Sequence, residues 1–145
     1  MAVLQALMKR NTSVLLRDLN GETALMQACR TNKLGPVATI LEALKDQNNL
    51  EIVRVVLETP NSAGSTPLLV AAVSGFLEIV KLIAGCDANI NAKNEKDDSP
   101  LLSAMNSGHV DVVRYLIGIG ADIEQRSWNG STPLMNAAMW GLVDM

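Results

Sequence analysis

Hydrophobic residues in this chain recur at helical spacing in short segments that polar residues separate. Between residues 77 and 84, and again between 110 and 117, they occupy the i, i+3, i+6 and i+7 positions, which form one face of an amphipathic helix. A shorter stripe precedes each of these segments, with a Leu at its start and an Ala three residues later. The pattern therefore predicts pairs of short helices, each with one buried face.

One eight-residue motif marks the start of the first helix in each pair. The motif Ser-Thr-Pro-Leu-Leu-Val-Ala-Ala at residues 65–72 recurs in variant form at 98–105 and 131–138, a spacing of 33 residues. A weaker copy at Thr23 lies 43 residues before Thr66 (66 − 23). A hydroxyl residue suits the N-cap, and the proline after it suits the first helical position. We therefore predict that the helix pairs start near Thr23, Thr66, Ser99 and Thr132.

Residues that tolerate a left-handed backbone lie where the helices must end. Glycine stands nine residues after three of the N-cap positions, at Gly75, Gly108 and Gly141. The second helices are predicted to end at residue types that adopt a left-handed conformation most cheaply, namely Asn11, Asp87 and Gly120. Each unit is thus a short helix, a sharp turn, a second helix and a polar connection.

The unit assembled from these features resembles the ankyrin repeat. It carries T-P-L-x-x-A-A, a central G-H or G-F, a V-x-x-L second helix and a closing G-A-D-I. The resemblance extends over essentially the whole chain. It implies an all-α solenoid of stacked antiparallel helix pairs with β-hairpin or turn fingers. The family's His after T-P-L is replaced here by hydrophobic residues, Met26, Leu69, Leu102 and Met135.

We divide residues 1–145 into consecutive units of a single domain. These are a half repeat at 1–19, a repeat with an insertion of about ten residues at 20–62, repeats at 63–95 and 96–128, and a truncated repeat at 129–145. Neither end shows the polar capping repeat with which solenoids usually finish. We therefore expect either a fragment of a longer array or ends that something else covers.

The insertion lies between residues 45 and 59, after the second helix of its repeat. Its segment 51–57 is rich in β-branched residues, which favours an elongated finger or a long loop. The alternative is an extra helix, because Leu-Glu-Ile-Val-Arg at 50–54 copies Leu-Glu-Ile-Val-Lys at 77–81. We prefer the finger or loop.

Composition narrows the function classes. The net charge of −3 gives no reason to expect a nucleic-acid ligand, because phosphate neutralisation needs clustered Lys and Arg. No hydrophobic run approaches the roughly 18 residues of a membrane span, and the N-terminus carries no secretion signal. Cys29 and Cys86 are too few for a disulfide framework, and we predict that they are not bonded to each other. Free thiols favour an intracellular location, cytoplasmic or nuclear.

No pattern in the sequence indicates catalysis. His109, the single histidine, follows Gly108 at a place that the family fills with a structural His, and it has no matching nucleophile. A Gly-rich phosphate loop is absent. The acidic and amide-rich stretch 89–98 lacks the spacing of a calcium loop, and we interpret it as a solvated finger. We therefore expect no enzyme, no catalytic residue, no metal, no cofactor and no small-molecule substrate.

The resemblance implies a binding surface made of finger tips and the exposed face of the first helices. Trp128 lies at a finger tip, where a hot-spot role is favoured, while Trp140 either binds or covers the neighbouring repeat. Carried onto the first and second repeats, the partner-binding positions are Arg17, Leu19, Asn20, Glu22, Gln27, Arg30, Ser62, Ala63, Ser65, Val70 and Val73. Those of the third and fourth are Lys93, Glu95, Lys96, Asp98, Ser103, Asn106, Arg126, Trp128, Asn129, Ser131, Asn136, Met139 and Trp140.

Three functions are compatible with this surface, and each has another protein or a peptide as the partner. The first is a partner-binding segment of a larger protein, which the ragged ends favour. The second is a stand-alone inhibitor that docks on an enzyme such as a kinase. The third is a substrate-recruiting part of an enzyme whose catalytic domain lies outside this chain.

The last helix of the array provides a stability test. The pattern predicts that Leu142 and Val143 belong to a second helix that stops after one turn, and an absent neighbour would leave hydrophobic surface in water. Completing that helix with a segment patterned on residues 110–117 should raise the melting temperature. Each buried aliphatic side chain contributes about 1.5–3 kcal/mol before entropy is subtracted. Paired thermal melts measure the effect, and equal midpoints would favour the stand-alone inhibitor.

Overall fold

The computed structural model describes residues 15–46 and 50–141, in which eight α-helices and no strand occur. The helices are α1 (Ala24–Arg30), α2 (Leu34–Asp46), α3 (Leu50–Glu58), α4 (Pro67–Ser74), α5 (Leu77–Ala84), α6 (Pro100–Asn106), α7 (Val110–Gly118) and α8 (Pro133–Met139). This confirms the predicted all-α solenoid. The half repeat predicted at the N-terminus lies almost wholly outside the described residues, as does Asn11.

The helices form two parallel layers. The first helices α1, α4, α6 and α8 pack against one another in chain order, and the second helices α2, α5 and α7 do the same beside them. Each first helix that is followed by a second helix also packs on it. The hydrophobic core therefore runs along the stack between the two layers. None of these helices combines the length and hydrophobicity that crossing a membrane requires.

Side-chain caps begin all four first helices where the sequence predicts them. The hydroxyl oxygens of Thr23, Thr66, Ser99 and Thr132 accept a hydrogen bond from the backbone N–H three residues later, at 3.4, 3.4, 3.3 and 3.3 Å. Each cap satisfies one of the backbone donors that a helix start leaves free. In α4, α6 and α8 a proline follows at the first helical position.

Left-handed residues end the helices. Gly75, Gly108 and Gly141 have φ of 77°, 76° and 67°, and Asn32 takes the equivalent place in the first copy with φ of 56°. After the second helices, Asp87 and Gly120 have φ of 62° and 93°. The predicted turn positions within the described residues are therefore confirmed.

The hydrophobic residues that replace the family's His are part of the core in three repeats. Met26, Leu69 and Leu102 are at most 1% exposed, whereas Met135 is 56% exposed. Leu134 is the leucine that begins the predicted buried stripe of the fourth first helix, and it is also exposed in α8. That prediction is wrong in the fourth copy, whereas Leu25, Leu68 and Leu101 at the same position of the earlier copies are fully buried.

The insertion forms a helix, so the preferred finger or loop is wrong and the alternative is confirmed. In α3, Val53, Val56 and Leu57 fall on one face and are buried. The helix packs against α2 and α4, and the Glu58 Oε1 accepts a hydrogen bond from the Asn89 backbone N–H at 2.8 Å. Burial of one face outweighs the modest helix propensity of β-branched residues.

The two cysteines are free, which confirms that they are not bonded to each other. Cys29 is fully buried in α1, and burial raises the pKa of its thiol to about 12. Cys86 is half-buried beside α3, in a groove of about 300 Å³ that Arg54 and Leu57 also line. The two thiols therefore differ in accessibility.

We expect a thiol reagent at about pH 8 to modify only Cys86 in the folded protein, because the thiolate is the reactive form and Cys29 is buried and protonated. After denaturation both thiols should react. A colorimetric thiol titration before and after addition of guanidinium measures this. Two rapidly reacting thiols in the folded protein would contradict the packing of α1.

Candidate partner-binding surface

Four tight turns of one geometry precede the first helices. In each, the backbone N–H of the first residue donates to the carbonyl oxygen four residues later, at 3.0, 3.0, 3.1 and 3.0 Å in chain order. We call these turns fingers 1 to 4 (residues 18–22, 61–65, 94–98 and 127–131). The N–H of the fourth residue also donates to the carbonyl oxygen of the first in every finger. The fingers are therefore closed turns with a fixed backbone.

An Asx side chain organises three of the four fingers. The Oδ1 of Asp18 accepts hydrogen bonds from the N–H groups of the residues two and four positions later, and Asn61 and Asn94 do the same, all at 2.8–3.0 Å. Ser127 begins finger 4 and donates instead to the Asp98 Oδ1 at 2.7 Å. Sequence reasoning missed the three Asx residues that begin fingers 1 to 3, although their spacing of 43 and 33 residues follows the repeat.

Backbone hydrogen bonds hold the carboxylate of Asp18 in its ionised form. The N–H of Glu22 chiefly, with that of Asn20 and the Gln27 amide, lowers the pKa of Asp18 below its ordinary value. The Gln27 Nε2 donates to Oδ2 at 2.9 Å. Finger 1 is thus tied to helix α1 by a charge-assisted hydrogen bond.

Adjacent fingers are joined by one backbone hydrogen bond each. Ser62 N–H donates to Asn20 O at 3.0 Å, Glu95 N–H to Ala63 O at 3.2 Å, and Trp128 N–H to Lys96 O at 3.1 Å. The same atoms meet at every step, including the step that spans the insertion. The four fingers therefore form one continuous edge.

The fourth residue of each finger has a positive φ. Gly21, Gly64, Asp97 and Gly130 have φ of 72°, 76°, 58° and 79°. A Cβ added at Gly64 would lie 2.8 Å from the Glu95 backbone nitrogen, whereas one at Gly130 would meet nothing within 4 Å. Glycine at position 64 therefore serves both the turn and the contact with the next finger.

Two open grooves run between the fingers and the first helices. One of about 670 Å³ lies beside fingers 1 and 2 and is lined by Leu19, Asn20, Glu22, Arg30, Asn61, Ser62, Ala63 and Glu95. The other, of about 280 Å³, is lined by Ala63, Val73, Asn94, Glu95, Lys96, Asp98, Ser103, Asn106 and Ser107. Finger residues and residues near the C-terminal ends of the first helices share both walls, so they form one concave face.

A paired charge lies in the first groove. Both oxygens of Glu22 face Arg30, whose Nη2 bonds to Oε1 and whose Nε donates to Oε2 at 3.3 Å. The Arg30 side chain stays half exposed while that of Glu22 is 7% exposed. The pair therefore presents the outer side of the guanidinium to solvent.

Most of the predicted binding residues are exposed. The exposed ones are Arg17, Leu19, Asn20, Gln27, Arg30, Ser62, Ala63, Val73, Lys93, Glu95, Lys96, Asn106, Arg126, Trp128, Asn129, Met139 and Trp140. Asp98 and Ser131 are half-buried. The two grooves bring together those of these residues that line them, and whether any of the set contacts a partner stays a prediction.

Five predicted residues are buried, so their expected exposure is wrong. They are Glu22, Ser65, Val70, Ser103 and Asn136. The last three stand four residues after an N-cap, where a first helix faces its predecessor in the stack. Asn136 shows the contact, because its Nδ2 donates to the Asn106 Oδ1 at 2.9 Å. The solvent-facing position of the first helices is instead seven residues after the N-cap.

His109 links two repeats. Its Nε2 lies 2.8 Å from the Val73 carbonyl oxygen, and since that oxygen can only accept, the nitrogen is the donor. A Cβ on Gly75 would lie 2.4 Å from the ring, so the imidazole covers the turn after α4. This contact supports the structural interpretation of His109. Within residues 15–46 and 50–141, no group of three or more His, Cys, Asp or Glu side chains is arranged to hold a metal ion.

Stacked helix pairs with joined fingers define the class of protein. A family model described as ankyrin repeats (3 copies) matches residues 1–94 and 81–145, and the chain belongs to the ankyrin-repeat family. Ankyrin repeats are protein-interaction modules and are typically not catalytic.

Individual relatives share part of the sequence. The chain is similar to NF-kappa-B inhibitor alpha of Mus musculus and of Rattus norvegicus, each 32% identical over 91 residues, and to that of Sus scrofa, 30% identical over 91 residues. The matched stretch covers 63% of this chain and 28% of each relative. The chain therefore corresponds to less than a third of the length of these curated relatives.

The approach of fingers 2 and 3 can be tested with two alanine substitutions. Gly64→Ala and Gly130→Ala should each lower the free energy of unfolding by about 1–2 kcal/mol, because alanine is strained at positive φ. Gly64→Ala should lower it by about 1–3 kcal/mol more, because its methyl group overlaps the backbone of the next finger. Urea denaturation compares the two, and equal losses would show that the fingers do not constrain each other.

Proposed function

We propose that this chain binds another protein, or a peptide from one, along the concave face made by the four fingers and the C-terminal ends of the first helices. The observation that supports this most is the finger edge, in which one backbone hydrogen bond of 3.0–3.2 Å joins each finger to the next. Such an edge holds its side chains in place before a partner arrives. Binding then loses little conformational entropy.

The chemistry of the face favours a polypeptide partner. Residues of both charges stand beside small polar and hydrophobic ones, as Arg30, Val73, Glu95 and Lys96 illustrate. A mixed surface of this kind is typical of protein interfaces and lacks the clustered cations that nucleic acid needs. We infer that the chain acts inside the cell as the binding segment of a larger protein.

The relatives favour a second candidate, an inhibitor that acts by occupying a surface of its target. All three are named as inhibitors of NF-kappa-B, and the similarity covers 63% of this chain. An inhibitor would use the same concave face. The two candidates differ in whether the bound target loses its activity or is only held.

A pair of matched substitutions tests the face. Val73 in α4 and Leu82 in α5 are 43% and 36% exposed, the first on the concave side and the second on the layer of second helices. Val73→Arg should weaken binding of a partner by about tenfold or more, because it places a long charged side chain in the groove. Leu82→Arg should change binding less than about twofold, since it lies outside the face.

The measurement starts with capture of partners from cell extract by the chain, followed by identification and purification of one captured protein. Titration calorimetry with the wild type and the two variants then gives the affinities. Loss of binding in Leu82→Arg with retention in Val73→Arg would place the interface on the second helices and reject the proposal. An activity assay of the captured target then distinguishes the two candidates, because an inhibitor lowers the activity of its target and a binding segment leaves it unchanged.

A further inference from the structure

The fourth repeat differs from the others on the concave face. Trp128 in finger 4 is 71% exposed, and Met139 and Trp140 at the end of α8 are 70% and 54% exposed. The residues 33 positions earlier are Glu95, Asn106 and Ser107, all of them polar. Large hydrophobic side chains therefore stand at positions where the third repeat is hydrophilic. Trp and Met are enriched at protein interfaces relative to the rest of the surface.

The exposure of Met139 belongs to the concave face and is not only an effect of its place in the last described helix. Three residues after the N-cap, Leu69 and Leu102 are buried, whereas Met135 at the same position of the last described helix is exposed. Seven residues after the N-cap, Val73 and Asn106 remain exposed although both have neighbours on either side. Met139 occupies the second position, so a further neighbour would cover Met135 and leave Met139 in solvent.

The surrounding geometry repeats that of an existing groove. The groove of about 280 Å³ is lined on the third repeat by Glu95, Lys96, Asn106 and Ser107. Finger 4 meets finger 3 through the same backbone hydrogen bond that joins finger 3 to finger 2, at 3.1 and 3.2 Å. By the 33-residue repeat, Asn106, Trp128, Asn129, Met139 and Trp140 hold the positions that Val73, Glu95, Lys96, Asn106 and Ser107 hold around that groove.

Positive charge borders this hydrophobic lining. Lys96 and Arg126 are exposed, the first on the finger that accepts the Trp128 N–H and the second two residues before Trp128. Neither forms an ion pair among the residues that the structure describes. Of the nearby carboxylates, Asp98 accepts the Ser127 hydroxyl at 2.7 Å, and Glu95 lines the two grooves on the other side of finger 3. Asp97 is the remaining exposed carboxylate of that finger.

We propose that the fourth-repeat end of the concave face binds a peptide segment that carries an aromatic or long aliphatic side chain next to carboxylates. The hydrophobic side chain packs between Trp128, Met139 and Trp140, and the carboxylates pair with Lys96 and Arg126. This inference rests on the proposed function and adds the chemistry and the orientation of the partner. The polar first and third repeats then contact the remainder of the partner.

Synthetic peptides serve as probes for this chemistry. Three short peptides carry a fluorescein label: one with a central Phe-Leu pair flanked by Asp and Glu, one with the same pair flanked by Lys and Arg, and one with Ala-Ala flanked by Asp and Glu. Fluorescence anisotropy with the full chain gives their affinities. We expect the first peptide to bind about tenfold or more tightly than either of the others. It should also shift the emission of Trp128 and Trp140, the two tryptophans of the chain.

Substitutions in the protein locate the site. Trp128→Ala and Met139→Ala should each weaken the first peptide by about tenfold, and the double change Lys96→Glu with Arg126→Glu should reverse the preference toward the basic peptide. Leu82→Ala, on the layer of second helices and outside the concave face, is the matched control and should change the affinity less than about twofold. All of these side chains are exposed, so the variants should fold, and thermal melts of each variant check this.

Several results would overturn the inference. They are equal binding of the three peptides, no binding of the acidic Phe-Leu peptide, or unchanged affinity in the tryptophan and methionine variants. Self-association that Trp140→Ala abolishes would assign the patch to a second copy of the chain and would reject the peptide. If Val73→Arg still prevents capture of a partner while Trp128→Ala does not, the proposed function stands and this inference alone fails.

Discussion

The packing of each first helix on the next one supports everything else in this protein. A pair of helices of seven to thirteen residues has too little interior to bury its own hydrophobic side chains. The residue three positions after the N-cap shows how the stack solves this, because Met26, Leu69 and Leu102 are buried and Met135 is 56% exposed. Stability is therefore a property of neighbouring repeats, and a substitution at these positions acts on the interface between two units.

The finger edge follows from that packing. Because the first helices lie at regular intervals, the turn before each helix meets the turn before the next one, and the same backbone atoms bond at every step. The insertion does not disturb this order. Helix α3 packs against α2 and α4, so ten additional residues leave the 3.0 Å contact between fingers 1 and 2 unchanged.

The residues that build the framework of the described repeats differ from those that face solvent on the concave side. The caps, the left-handed turns and the finger hydrogen bonds use backbone atoms and small polar side chains. Positions seven residues after the N-cap and at the finger tips remain available, and they hold residues as different as Arg30, Val73, Asn106 and Met139. Under the proposed function, a partner is selected by the order of these side chains along the face, while the framework supplies rigidity.

The sequence by itself determined the period, the helix starts at Thr23, Thr66, Ser99 and Thr132, and the left-handed turns. These depend on interactions within a few residues of the chain, which composition and spacing reveal. The tertiary structure decided the features that depend on contacts between helices and between repeats. The β-branched segment 51–57 became helical because one face of it is buried. Val70, Ser103 and Asn136 are buried, and the Asn136 amide bonds to Asn106 of the preceding first helix. The contact between Trp128 and Lys96 likewise joins residues 32 positions apart (128 − 96), and only the stacking of two repeats brings them together.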